Sequence, residues 1–207
     1  MSDDLNSVKS DADGAEKRRY HHGNLRTALI AAAEDILRER GATGFSLREA
    51  ARRAGVSAGA PAHHFGDARG LLTAVAAGGF ARLARQLRTA SEGAPPDRLA
   101  AIAAAYLDFA RENGALFGIM WLRDLLDQSD PDYLSAGRDA FNVLEQAATG
   151  RGVAVATGPR IPDPSVIAAW SLVHGLARLT LDGALDTVPA DYQARVLALA
   201  PRLMGEG

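Results

Sequence analysis

The sequence predicts an all-α chain. Apolar residues recur at helical spacing from Leu25 onward, and the composition is rich in alanine and leucine. No stretch alternates over strand length, save Val153-Ala154-Val155 in a Gly-rich segment. The 207 residues suffice for one large domain, or a small one followed by a larger one, with a core that needs no staple. The absence of cysteine excludes thiol catalysis, thiolate metal sites and a disulfide scaffold. The longest apolar runs, such as 100–107, fall far short of the ~20 residues a membrane span requires. Met1-Ser2-Asp3-Asp4 opens no signal peptide, so a soluble, cytoplasmic protein without a membrane partner is expected.

Residues 1–16 are polar, acidic and aperiodic, the pattern of a disordered tail. Lys17-Arg18-Arg19-Tyr20-His21-His22 forms a short basic arm. From Asn24, Leu25, Leu29, Ala33, Ile36 and Leu37 line one helical face, which Gly41 and Gly44 terminate. Ser46-Leu47-Arg48-Glu49 is a capping box: the Ser46 hydroxyl accepts from the Glu49 N–H while the Glu49 carboxylate reaches back. The helix it opens turns Leu47, Ala50, Ala51 and Ala54 inward and ends at Gly55. Ser57 reads as a second N-cap, opening another short helix through Phe65. Asp67 caps a long helix whose apolar residues Leu71, Leu72, Val75, Phe80, Leu83 and Leu87 run towards Ser91. Further helices are expected over 96–112, 115–122, 131–149, 164–181 and 189–203, several with proline in the first turn, and 150–162 reads as a loop.

Charge is uneven along this order. The net charge is −2, yet residues 1–16 carry −4, residues 17–70 carry +5 and the remainder −3. A basic segment in a mildly acidic chain suits a polyanionic partner. Within that segment, two short helices joined by a tight Gly-containing turn after a longer helix make a helix-turn-helix. The first short helix crosses the DNA backbone, and the second enters the major groove. An ordinary packed helical corner would give the same bare pattern.

The flanking residues narrow the choice. Gly41-Ala42-Thr43-Gly44-Phe45-Ser46-Leu47-Arg48-Glu49-Ala50-Ala51, then Ala54-Gly55-Val56-Ser57, then His64-Phe65-Gly66-Asp67 before Leu71-Leu72, resemble the TetR family of bacterial transcriptional repressors. The resemblance spans about residues 22–72. Trp170-Ser171-Leu172-Val173-His174-Gly175 is similar to the Trp-His-Gly signature of one subgroup's C-terminal domain. The resemblance implies an all-α homodimer with an N-terminal three-helix DNA-binding domain and a larger C-terminal helical domain for ligand binding and dimerisation. The expected division is 1–19 as tail and arm, 20–68 as the DNA-binding domain and 69–207 as the C-terminal domain.

At Arg48 the resemblance implies contact with a base or a phosphate, and arginine forks onto either; the alternative is a surface ion pair. Of Arg52 and Arg53, at least one should face solvent or phosphate. The second helix departs from the family, because Ala62 stands where a tyrosine commonly meets DNA. Ser57, Ala58, Ala60 and Ala62 offer little beyond methyl or backbone contact, so reading must lean on thymine methyls, Arg48 and DNA shape. Pro61 sits at the edge of the first turn. His63 and His64 suit phosphates, with packing the alternative for His64; adjacent helical residues do not make a metal site. Lys17, Arg18 and Arg19 would enter a minor groove or track phosphates. The expected partner is double-stranded DNA with a near-palindromic operator.

In the C-terminal part, Tyr106, Phe109, Phe117, Met120, Trp121, Phe141 and Trp170 concentrate aromatic and apolar bulk, either as core or as the walls of a pocket for a largely apolar small-molecule inducer. Trp170, His174, Arg178 and Asp182 recur every fourth residue. His174 could orient a ligand beside Trp170, or the stripe could lie in a subunit interface. The helices 164–181 and 189–203 are apolar enough to pair with those of a second copy. No cofactor, metal or catalytic residue is expected: His174, Asp182 and Asp108 are the acid or base candidates of an enzyme reading, but no nucleophile or phosphate loop accompanies them. A third class is a helical ligand-binding or interaction protein whose DNA-binding head has weakened, suggested by the bare Ala60-Pro61-Ala62 stretch.

Overall fold

The computed structural model describes residues 25–92, 98–149, 162–189 and 191–199, and all regular structure among them is helical. The chain divides into two compact units, Met1–Val75 and Ala76–Gly207. No described helix is long and apolar enough to cross a membrane.

The first unit begins with α1, helical over 25–40. Its buried residues Leu29, Ala32, Ala33, Ile36 and Leu37 follow the three-and-four spacing of one helical face. Helices α2 (Leu47–Arg53) and α3 (Ala60–Phe65) follow, and α4 (Ala68–Glu92) starts here and continues into the second unit. Ala50 and Ala51 of α2, Pro61 of α3 and Leu71, Leu72 and Val75 of α4 complete this core. The Arg26 guanidinium lies 5.4 Å from the centre of the Phe65 ring, joining α1 to α3.

Gly55 makes the turn between the short helices possible. Its φ is +69°, a left-handed conformation that costs glycine nothing, and the Gly55 and Val56 N–H groups donate to the Arg52 and Ala51 carbonyls. The start of α3 differs from the expected one. Ser57 is not the N-cap; the helix begins at Ala60 behind Gly59, and no side chain caps it. Pro61 is the reason. A helix capped at Ser57 would place Pro61 inside, where its ring clashes with a carbonyl and its missing N–H breaks the ladder. Beginning at Ala60 puts proline in the first turn, where neither matters. The capping box of α2 is also only half made. Ser46 Oγ accepts from the Glu49 N–H at 3.5 Å, but the Glu49 carboxylate turns to Arg52 and Arg53 instead of reaching back. Asp67 caps α4 as expected, accepting from the Gly70 N–H at 2.9 Å.

The second unit contains the rest of α4, α5 (Arg98–Glu112), α6 (Gly114–Met120), a 3₁₀ turn (Arg123–Leu125), α7 (Pro131–Thr149), α8 (Pro164–Leu181) and α9 (Tyr192–Ala198). Helix α5 is central, packing against α6, α7, α8 and α9, and α7 also packs on α8. The sequence places α7 and α8 correctly at both ends; each starts with proline and carries a strong apolar face. Helix α6 ends two residues before the expected 122, because the chain tightens into the 3₁₀ turn. Helix α9 starts at Tyr192, not at 189: Tyr192 N–H donates to the Pro189 carbonyl as a turn, and Arg195 N–H to Asp191 begins the α pattern. Residue 96, the segment 150–161 that includes Val153-Ala154-Val155, and residues 200–203 lie outside the described residues.

A close approach generates a test. A Cβ at Gly70 would stand 1.9 Å from the Phe65 carbonyl oxygen, whereas one at Gly78 meets nothing within 4 Å. Gly78→Ala should therefore stabilise by about 0.5–1 kcal/mol through helix propensity. Gly70→Ala should destabilise by about 1–3 kcal/mol, since backbone must move. Urea unfolding of both variants checks the opposite signs.

Candidate functional site

Two surfaces gather the residues that the sequence singles out. The first is the exposed side of α2 and α3. Arg48 is exposed on α2 and has no ion-pair or hydrogen-bond partner among the described residues. Ser57, Ala58, Ala62 and His63 are exposed, Ala60 and His64 half-buried. The His63 and His64 rings meet edge to face at 5.5 Å. Lys17, Arg18 and Arg19 lie outside the described residues.

Beneath this surface runs an ion-pair network that sequence reading did not find. Arg53 donates from its two terminal nitrogens to Glu39 at 2.8 and 2.6 Å and from Nε to Glu49 at 2.9 Å. Arg52 closes a second fork on Glu49, with both bonds at 2.7 Å. Glu49 is thus held by arginines, and these bonds keep its carboxyl down to about 2. The Arg53 bond likewise lowers Glu39, and both carboxylates raise Arg53. Arg52, with 71% of its side chain exposed, faces solvent; Arg53 is the structural one. The signal in the sequence was the 14-residue separation of Glu39 and Arg53, which no local spacing rule reads.

The second site is a cavity of about 250 Å³ in the second unit. Helix α4 supplies Phe80, Leu83 and Leu87 to it, α5 Tyr106, α7 a face running from Tyr133 to Leu144, α8 Trp170, and the end of α6 Trp121. Tyr106, Trp121, Phe141 and Trp170 were singled out from the sequence. Phe109, Phe117 and Met120 are fully buried core residues outside the lining. Phe80, Tyr133, Gly137 and Leu144 were missed; the spacing of Tyr133, Gly137, Ala140, Phe141 and Leu144 along α7 carried that signal.

His174 is packed among the aromatic rings that back this cavity, its centre 4.7 Å from that of Trp121 and 5.5 Å from Phe117. It lies 2.8 Å from the Tyr106 hydroxyl through Nδ1. Burial pushes the Tyr106 hydroxyl well up, the Trp170 indole N–H bonding to it in partial opposition. Burial, then Arg178, pushes His174 down. Both groups are therefore neutral near pH 7. The Tyr106 hydroxyl and Nδ1 share this hydrogen bond, its direction following the imidazole tautomer. Further along α8, Arg178 turns to Asp182 at 3.0 Å. Asp108 likewise pairs with Arg111. Among the described residues no three His, Asp or Glu side chains converge as a metal site.

The sequence matches two family profiles. Residues 29–75 match the one described as bacterial regulatory proteins, tetR family, and residues 99–203 the one described as tetracyclin repressor-like, C-terminal domain. No curated protein matches the chain. Among solved structures, a protein of unknown function from Rhodococcus sp. RHA1 is 36% identical, covering 89% of this chain and 96% of its own, with a TM-score of 0.72. A regulatory protein in the tetR family, also from Rhodococcus RHA1, is 22% identical over 87% of this chain and 97% of its own, with a TM-score of 0.63. A TetR family transcription regulator from Marinobacter aquaeolei VT8 is 15% identical over 88% and 96%, with a TM-score of 0.62. These last two share the fold.

Two predictions follow from the ionisable groups. Glu39 and Glu49 titrate lower in the folded chain than their ordinary 4.5, so their contribution is present above pH 4.5 and is lost as pH falls towards about 2. Arg53→Met should lower the melting temperature at pH 7 and flatten that acid dependence, as read by circular dichroism between pH 7 and 3. For His174 the folded value lies below the ordinary 6.5, so its contribution is present above pH 6.5 and declines as pH falls below it. An NMR titration should place His174 below 6.5, and Tyr106→Phe, which orphans Nδ1, should cost about 1–3 kcal/mol.

Proposed function

The chain belongs to the TetR family of bacterial regulatory proteins, and from that membership we propose that it is a homodimeric repressor released from its operator by a small apolar molecule. In this reading residues 20–68 bind DNA and residues 69–207 bind the ligand and form the dimer. One observation carries the DNA-binding half. Arg48 stands exposed without a carboxylate partner among the described residues, while its neighbour Glu49 is neutralised by Arg52 and Arg53. The exposed side of α2 and α3 thus offers cations and small side chains to a polyanion, with no acidic residue on α3. Ala58 and Ala62 leave space for close backbone approach and for thymine methyls, and Lys17, Arg18 and Arg19 extend the basic arm.

The dimer is supported by the apolar residues that α8 and α9 leave exposed, Ile167, Leu179, Tyr192 and Leu199. A twofold pair sets its reading helices about one DNA turn apart, roughly 34–36 Å, and requires a near-palindromic site. The apolar cavity, walled by residues of α4, α5, α7 and α8 and by Trp121, is the effector site. A ligand that prefers a conformation with another helix spacing must weaken DNA binding by the same coupling factor.

Footprinting of the full chain on the DNA upstream of its own gene tests the reading. A protected near-palindrome is expected, bound by a dimer in light scattering. Arg48→Ala should cost about 1–3 kcal/mol on that site if it reads a base, and a uniform loss on all duplexes would make it a phosphate contact. Deleting residues 1–19 should reduce the salt dependence of binding. A stable monomer, or equal affinity for random duplex, overturns the proposal.

A further inference from the structure

The polar atoms around the cavity are engaged before a ligand arrives, and that limits what the cavity takes. The Tyr133 hydroxyl donates to the Met120 carbonyl at 3.2 Å. The Tyr106 hydroxyl lies 2.8 Å from His174 Nδ1 and accepts from the Trp170 indole N–H. Trp121 Nε1 is buried with essentially no accessible surface, so Trp121 presents carbon to the cavity. Apart from Arg138, the rest of the lining is Phe, Leu, Ala and Gly. Leu134 and Arg138, one turn apart on α7, are the exposed members of the lining and mark its mouth. There the Arg138 stem covers apolar surface while its charged head stays in water.

An occupant therefore meets a wall of carbon. A hydrogen-bonding group carried inside would lose its water and gain no partner, and a charge would lose far more. Aromatic walls favour a flat ring through offset and edge-to-face contacts. Volume sets the upper limit. A dry apolar cavity of about 150 Å³ already takes benzene, so about 250 Å³ leaves space for a second fused ring. Gly137 keeps part of that space open. It lies at the centre of the α7 face that runs from Tyr133 to Leu144. A Cβ there would have only Phe80 Cδ2 near it, at 4.0 Å, and Phe80 is itself part of the wall. Any side chain at this position would grow into the cavity.

We propose that this cavity selects aromatic hydrocarbons of one or two rings that carry no hydrogen-bonding group, and that Gly137 is the specificity-determining residue that admits the second ring. This rests on reading the cavity as the effector site and names the ligand class that site takes. Selection against polar molecules comes from the water they must leave behind, and selection by size from the missing side chain on α7.

Two pairs of matched shape test the polarity: naphthalene with quinoline, which adds an acceptor, and indene with indole, which adds a donor. Equilibrium dialysis against the full-length protein at neutral pH, where quinoline is uncharged, gives the affinities. The hydrocarbon of each pair should bind at least about tenfold more tightly. Gly137→Ala, a change that a helix interior favours, should weaken naphthalene about five- to tenfold and leave toluene within about twofold. Gly137→Leu, its fold checked by circular dichroism, fills the cavity and should abolish binding of both, which fixes the location. Quinoline or indole binding as tightly as its hydrocarbon overturns the ligand class while leaving the effector cavity standing. So does 1-naphthoate binding as tightly as naphthalene, which would make the occupant an anion held at the mouth by Arg138. Equal losses of toluene and naphthalene in Gly137→Ala overturn the role of Gly137. The effector reading falls separately, if naphthalene binds and does not release the protein from the operator found by footprinting. If no hydrocarbon binds at its solubility limit, both readings fall.

Discussion

Arg53 touches two helices with one rigid group. Its terminal nitrogens hold the Glu39 carboxylate of α1, and its Nε holds Glu49 within α2. Helices α2 and α3 have seven and six residues, well below the length at which an isolated helix persists in water. Their existence and their angle therefore come from tertiary contacts, and the planar fork of a guanidinium fixes direction as well as distance. A lysine would supply the charge but not the orientation. The Ala50–Ala51 pair lets neighbours approach closely, and Arg26 over Phe65 ties α3 to the other end of α1. The same network leaves the exposed side of α2 and α3 uncluttered. Glu49 would repel phosphates if free; engaged by two arginines, it leaves the cationic character of Arg48 uncancelled.

In the second unit the governing constraint is a different one, the satisfaction of polar atoms inside an aromatic cluster. Trp170, Tyr106 and His174 form a short chain of donors and acceptors. Neutral His174 completes it, so burial of the imidazole is compatible with the surrounding carbon. The cavity keeps apolar walls because Tyr106 and Tyr133 spend their hydroxyls on His174 and on the Met120 carbonyl. Trp121, at the C-cap of α6 where the chain leaves the helix for a 3₁₀ turn, is left out of that arrangement.

The helix-turn-helix was legible because its signals are local. Ser46, Gly55 and Asp67 each act within one turn, and the structure keeps all three in the predicted roles, the Ser46 cap at its longest. Proline starts gave α7 and α8. Two kinds of feature were illegible. One is competition between local rules: Ser57 favours a cap, Pro61 forbids the helix that cap would open, and sterics prevails. The other is distance along the chain. Glu39 with Arg53, and Tyr106 with His174, are 14 and 68 residues apart, and periodicity does not say which faces meet. For the same reason the aromatic list could be compiled from the sequence but not sorted. Tyr106 and Trp170 reached the cavity, Phe109 and Phe117 the core; Phe80 joined from a helix read only as packing, and Tyr133 from a helix of which only Phe141 was singled out.

An effector controls a repressor only through a difference. A ligand that binds two conformations equally shifts nothing, however tightly it binds. Carbon walls discriminate weakly, since apolar contact survives small changes of shape. In the proposed reading the preference between states must therefore come from the spacing of α4, α5, α7 and α8 around the cavity, which a ligand fits better in one arrangement than in another.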